Sequence, residues 1–195
     1  MSLGRQAKTL SKAQIEAVVG YLNSTRYPLR NRVILFLSVK AGLRAKEIAN
    51  LTWPMVTDSS GYVGDFIRLE NRASKGKFGG RVIPINAALK EVLEELHRKK
   101  WLADRGYVIR TERSNRISPQ AIVNLFSKWY AAVGFQGCSS HSGRRTFITN
   151  AARRISTVGG SLRDVQLLAG HTNLRTTQGY IEGDGEAQQR IVQVI

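Results

Sequence analysis

Apolar residues recur at helical spacing along most of this chain, and the stretch that breaks the rhythm, from Trp53 to Ile85, reads as strands. That change of period limits the fold strongly, because a 3.6-residue pattern cannot be buried as a sheet, nor a two-residue pattern as a helix. Before the break, Ser11 and Gln14 make a capping box, and Ile15, Val18, Val19 and Leu22 follow at helical spacing. Pro28 suits the first turn of a second helix with Val33, Ile34, Leu37 and Ser38 on or beside its inward face, and Gly42 stops it. Ala45 to Leu51 adds one or two more turns. Within the break, Asp58 to Gly61 is a turn. Phe66 to Leu69 and Arg81 to Ile85 are strands, joined by a polar, glycine-rich link from Asn71 to Gly80.

After the break the helical period returns. Asn86 can cap a helix carrying Leu89, Val92, Leu93 and Leu96, and Ser118-Pro119 opens another that lasts until Gly134. Further helices are expected from just after His141 to about Arg154, from Leu162 to Ala169 behind a Ser161 cap, and over a short segment from Asn173 to Ile181. The expected fold class is mainly α with a small antiparallel β-sheet, in one domain.

The charge of the chain speaks to its partners rather than its fold. Thirty Lys and Arg against 14 Asp and Glu give a formal charge of +16, which points to a polyanion, DNA or RNA before an anionic membrane surface. No apolar run approaches the ~18 residues needed to span a bilayer, and the N-terminus lacks an apolar signal segment, so an intracellular protein is expected. The single cysteine, Cys138, excludes an internal disulfide and cannot alone build a zinc site.

Six residues carry chemistry: Arg44, Lys75, His141, Arg144, His171 and Tyr180. Guanidinium groups match phosphate oxygens, lysine and histidine move protons, and a phenol can act as a nucleophile, so the set describes a phosphodiester site. Each member alone admits a plainer reading. Arg44 lies in a bend between helices, three residues before Glu47, as a surface ion pair at a helix start would. Lys75 and Lys77 sit in the link between the strands, where a solvated hairpin tip is common. His141 and Arg144 are three apart at a helix start, so they share a face near amides that favour anions, yet the histidine could simply cap the helix. Arg145 should point elsewhere, toward solvent or backbone phosphate. His171 follows the helix-ending Gly170, and Tyr180 comes nine residues later, where an aromatic residue often only packs. Neither histidine has partners at metal-ligand spacing.

Taken in order, these segments closely resemble the tyrosine recombinase, or phage integrase, family. The likeness covers its catalytic domain from roughly Leu10 to Ile181. It rests on Ala41-Gly-Leu-Arg44-Ala-Lys-Glu47-Ile48, on Lys75-Gly76-Lys77 followed by Arg81-Val82-Ile83-Pro84, on His141-Ser-Gly-Arg144, and on Gly170-His171 with Tyr180 nine residues later. Two departures stand out: Gly143 removes an apolar anchor common in the family, and Arg145 replaces an imidazole.

The resemblance implies a site-specific DNA recombinase or integrase that cleaves and rejoins strands through a 3′-phosphotyrosyl intermediate. Tyr180 would be the nucleophile, and Arg44 and Arg144 the clamp on the non-bridging oxygens. Lys75 would be the general acid, His141 would assist proton transfer, and His171 would hydrogen-bond the phosphate. No metal or other cofactor is expected. Strand relaxation of the type IB topoisomerase kind and a non-catalytic DNA-binding regulator are the alternatives. The expected organisation is a single catalytic domain, with a core of about 10–181 and a tail of 182–195, lacking the family's N-terminal core-binding domain. Double-stranded DNA is the expected partner, met in the cytoplasm at the nucleoid. The protein is expected to be a monomer in dilute solution and a homotetramer on paired sites, with the apolar tail docking on a neighbour.

Overall fold

The computed structural model describes residues 7–70, 80–99, 106–181 and 192–193. Its helices are α1 (Lys12–Asn23), α2 (Pro28–Val39), α3 (Ala45–Asn50), α4 (Ala87–Lys99), α5 (Pro119–Ala132), α6 (Ser142–Arg154), α7 (Leu162–Ala169) and α8 (Leu174–Gln178). Between α3 and α4 lie two short strands, β1 (Phe66–Leu69) and β2 (Arg81–Pro84). The mainly helical body with a small antiparallel sheet is thus the observed fold. The starts of the helices follow local chemistry. Ser11 and Gln14 close a reciprocal capping box on α1, and Pro28 occupies the first turn of α2. The Ser118 hydroxyl accepts from the Ala121 amide at the head of α5, and Asp164 Oδ2 accepts from the Ser161 amide at the head of α7.

Helix α2 is the axis of the molecule. The sequence suggests one inward face, but Asn31, Val33, Ile34, Leu35, Leu37, Ser38 and Val39 are all buried, because α1, α3, α4 and α6 pack around it. A helix buried on nearly every side is a core element rather than a surface one. Helix α4, by contrast, keeps the expected single stripe of Leu89, Val92, Leu93 and Leu96. The strands pair Ile67 with Ile83 and Leu69 with Arg81, which turns Ile67, Leu69 and Ile83 into the core and leaves Phe66, Arg68 and Val82 exposed. Each aliphatic side chain buried in this way contributes about 1.5–3 kcal/mol relative to exposure.

A second, smaller core lies between α6 and α7. Ile148, Val165 and Ala169 are fully buried there, and Phe147, Ala151, Ala152, Ile155 and Tyr180 pack around them. At the seam between the two cores lie Arg144 and His171. Gly143 makes the seam possible. A Cβ at this position would collide with Ser38 Oγ and come within 2.9 Å of Val39 Cγ1, so α6 approaches α2 as closely as it does only because the residue is glycine. The absent apolar anchor noted in the sequence is therefore a close helix crossing.

Candidate active site

A buried carboxylate organises one half of the site. Glu47, at the first turn of α3, accepts from the Arg44 amide at 2.8 Å and from Arg44 Nη1 at 2.9 Å. Its side chain is 1% exposed, and so deep a charge is tolerable only when paired. Arg81 from β2 completes the pairing, with Nη1 donating to Oε1 at 2.8 Å and Nη2 to Oε2 at 3.1 Å. Burial alone would push the Glu47 carboxyl up, but the bonds from Arg81 and Arg44 outweigh it and hold the group below its ordinary range. Arg81 Nε also donates to the Leu168 carbonyl at 3.0 Å, near the end of α7. Cations are stabilised at a helix C-terminus, where carbonyls lack partners and the helix dipole is negative.

The other half is built on Arg144. The start of α6 is set by Ser139 and Ser142, since the Ser139 amide donates to Ser142 Oγ at 3.0 Å. One turn in, Arg144 is buried and donates to the Gly42 carbonyl at 2.6 Å and to the Ala169 carbonyl at 2.7 Å. Burial, with Arg44 nearby, lowers its guanidinium to about 10, which still leaves it a cation at neutral pH. Arg144 Nη2 also lies 3.0 Å from His171 Nε2, and His171 Nδ1 lies 3.0 Å from Thr177 Oγ1. A guanidinium can only donate, so Nε2 is the acceptor and the imidazole proton sits on Nδ1, donating to Thr177. Burial first, and then Arg144, Arg44 and Arg81, pull the His171 pKa down to about 4. His171 is therefore a neutral imidazole at physiological pH.

Gly170 places that histidine. Its φ of +62° turns the chain out of α7, and a Cβ there would meet Arg81 Cδ and Nη1 at 2.9 Å. Gln166 Nε2 then holds the His171 carbonyl at 2.9 Å. Helix α8 starts where Asn173 Oδ1 accepts from the Arg175 amide, and it delivers Tyr180 onto the imidazole. The two rings stack with centroids 5.4 Å apart and planes 25° from parallel. The Tyr180 carbonyl accepts from Thr149 Oγ1 at 3.2 Å, which ties the end of α8 to α6. An open cleft in front of the phenol is bordered by His141, Arg144, Arg145, Arg175 and Tyr180.

Arg144, His171 and Tyr180 thus form one connected group, Arg44 is tied toward it through Glu47 and Arg81, and His141 lies at the exposed rim. Lys75 and Lys77 lie outside the described residues, as does most of the tail from 182 onward. Arg145 departs from expectation. Instead of pointing away, its guanidinium carbon stands 5.9 Å from the centre of the Tyr180 ring. Successive helical residues differ by only about 100° in direction, so neighbours can border the same wide cleft. Both ring nitrogens of His171 are engaged, by Arg144 and Thr177. Arg81, Thr177 and Arg175 escaped the sequence reading. Arg81 was visible only as part of a matching segment; Thr177 and Arg175 carried no signal beyond their nearness to Tyr180. Among the described residues, no group of three or more His, Cys, Asp or Glu could hold a metal, and no helix is long and apolar enough to cross a membrane.

Residues 8–186 match the sequence profile of the Phage integrase family. The chain is 33% identical over 180 residues to the tyrosine recombinase XerA of Pyrococcus horikoshii, covering 89% of this chain and 57% of the relative. It is 31% identical to the tyrosine recombinase XerA of Thermococcus onnurineus, again spanning 57% of that protein. Among solved structures, a XerA recombinase crystal structure superposes with a TM-score of 0.73 at 20% identity, over 99% of this chain and 65% of that one. The Tn1549 transposon integrase in complex with transposon right end DNA superposes at 0.75, with 15% identity, over 98% and 67% of the two chains.

Proposed function

Because this chain belongs to the phage integrase family, we propose that it is the DNA-cleaving and rejoining part of a tyrosine-type site-specific recombinase. The observation that carries this reading is the stack of Tyr180 on His171, whose Nε2 is held by the buried Arg144 beside an open, cation-lined cleft. The substrate is double-stranded DNA. Tyr180 Oη attacks the scissile phosphorus, the bond from phosphorus to the 5′-oxygen breaks, and a 3′-phosphotyrosyl link forms. The phenol gives up a proton, with His141 at the rim as its relay, and the leaving 5′-oxygen gains one, for which Lys75 is the donor. Arg44 and Arg144 face the non-bridging oxygens and stabilise the charge gathering on them; losing one such clamp costs on the order of a hundredfold in rate. His171 acts on the phosphate through Arg144. Religation runs the same steps backward, so the phosphodiester energy is kept in the covalent link. The relatives' names support recombination over simple relaxation. A tetramer on two paired duplexes is the assembly in which strand exchange proceeds.

Tyr180→Phe tests the assignment, since it removes only the attacking oxygen. With a nicked, strand-trapping duplex, the unaltered protein forms an adduct that survives a denaturing gel, and the variant binds the duplex but forms none. An adduct in the variant would place the nucleophile elsewhere.

A further inference from the structure

Arg81 belongs to none of the six chemistry-bearing positions, yet its side chain joins the two halves of the site. It is 6% exposed, and each of its three nitrogens is engaged, two by Glu47 and one by the Leu168 carbonyl. Unlike Arg144, which borders the cleft beside Tyr180, Arg81 does not line it, so its guanidinium is placed to hold other groups rather than a phosphate. Its partners are the anchors of the two clamp arginines. Glu47 holds Arg44, and the carbonyl next to that of Leu168, on Ala169, holds Arg144. Gly170 fits directly against Arg81 and leads into His171.

Resting on the reading of this site as a DNA-cleaving one, we propose that Arg81 is a positioning residue that keeps Arg44 available to the scissile phosphate. The buried Glu47 carboxylate needs a full cationic partner. With Arg81 bonded to both of its oxygens, Glu47 takes a single guanidinium nitrogen of Arg44, Nη1, and the Arg44 side chain stays 28% exposed. Without Arg81, Arg44 is the remaining partner, and the carboxylate draws it inward as a two-point ion pair. The Leu168 carbonyl is orphaned in the same step, which loosens the turn that sets Arg144 and His171.

The test compares Arg81→Ala and Arg81→Lys in the full chain, by duplex affinity and by the single-turnover rate of adduct formation at saturating protein. Misplacement of a clamp by about 1 Å costs on the order of a hundredfold, so Arg81→Ala slows adduct formation by that order while affinity changes less than about threefold. Millimolar guanidinium refills the vacated site and recovers much of the rate, whereas sodium chloride of equal ionic strength does not; general structural damage is not repaired in this way. Arg81→Lys, which keeps a buried cation and safeguards the fold, lies between the two. An unchanged rate in both variants overturns the proposal, as does a loss that guanidinium cannot relieve. The unaltered protein and Tyr180→Phe run alongside. If the unaltered protein forms no adduct on any supplied duplex, the functional reading fails separately. The positioning role is then read from the Nε–H NMR signals of Arg44 and Arg144, which move in both variants if it holds and stay in place if it does not.

Discussion

At the residue scale, the site depends on how buried charges are partnered. His171 is kept neutral by burial and by three arginines, with its pKa lowered to about 4. In the unfolded chain the same imidazole titrates near 6.5. Between those values the unfolded state binds a proton that the folded state refuses, so stability falls as pH drops from about 6.5 toward 4. Glu47 acts lower down: its depressed pKa gives stability that is present above the ordinary carboxylate value and lost as pH falls through the folded one. Thermal midpoints measured from pH 7 to pH 4.5 should therefore decline for the unaltered protein and decline less for His171→Asn; equal slopes would assign the decline to other groups. The residues that carry this behaviour differ in how legible they are. Arg44, Arg144, His171 and Tyr180 sit in recognisable local contexts, and the structure brings them together. Arg81 is 34 residues from Glu47 and 87 from Leu168, and its role lies wholly in those distant contacts, which no local pattern encodes.

At the element scale, the helices and the hairpin were legible because caps, prolines and periodicity are local. The burial of α2 on nearly all sides was not, since it depends on how many neighbours surround a helix rather than on the helix itself. Gly143 gives the same lesson in one residue. Alanine is favoured over glycine inside a helix by about 1 kcal/mol, but here the added carbon meets Ser38 and Val39, and overpacking costs about 1–3 kcal/mol. Ser38 is wholly buried and has nowhere to move, so the clash wins. Gly143→Ala should lower the thermal midpoint by about 2–6 °C. Gly20, on the exposed side of α1, has nothing within 4 Å of its virtual Cβ, and Gly20→Ala should raise the midpoint slightly. The opposite order of the two variants in a melting experiment would show that α2 and α6 can spread apart.

At the scale of the whole molecule, the formal charge of +16 bears on the proposed action on DNA. If six phosphates are neutralised, duplex affinity falls on the order of a few hundredfold for a threefold rise in monovalent salt. A nearly flat salt titration would mean that the basic residues do not line the binding face. Charge was legible from composition, whereas its concentration around Tyr180, through Arg145 and Arg175, required the folded arrangement. The clasp made by Arg144 also orders events in time. It joins α6 to the Gly42 carbonyl, 102 residues earlier, and to the Ala169 carbonyl, 25 residues later. Contacts of such long sequence separation form late, after the loops between them have closed. On the ribosome, synthesis runs from the N-terminus, so the first arginine emerges long before the turn that completes the clasp, and the tyrosine follows that turn. In a nascent chain, therefore, Gly42 is made first, and the group around Arg144 and Tyr180 can close only after Ala169 and the tyrosine have followed.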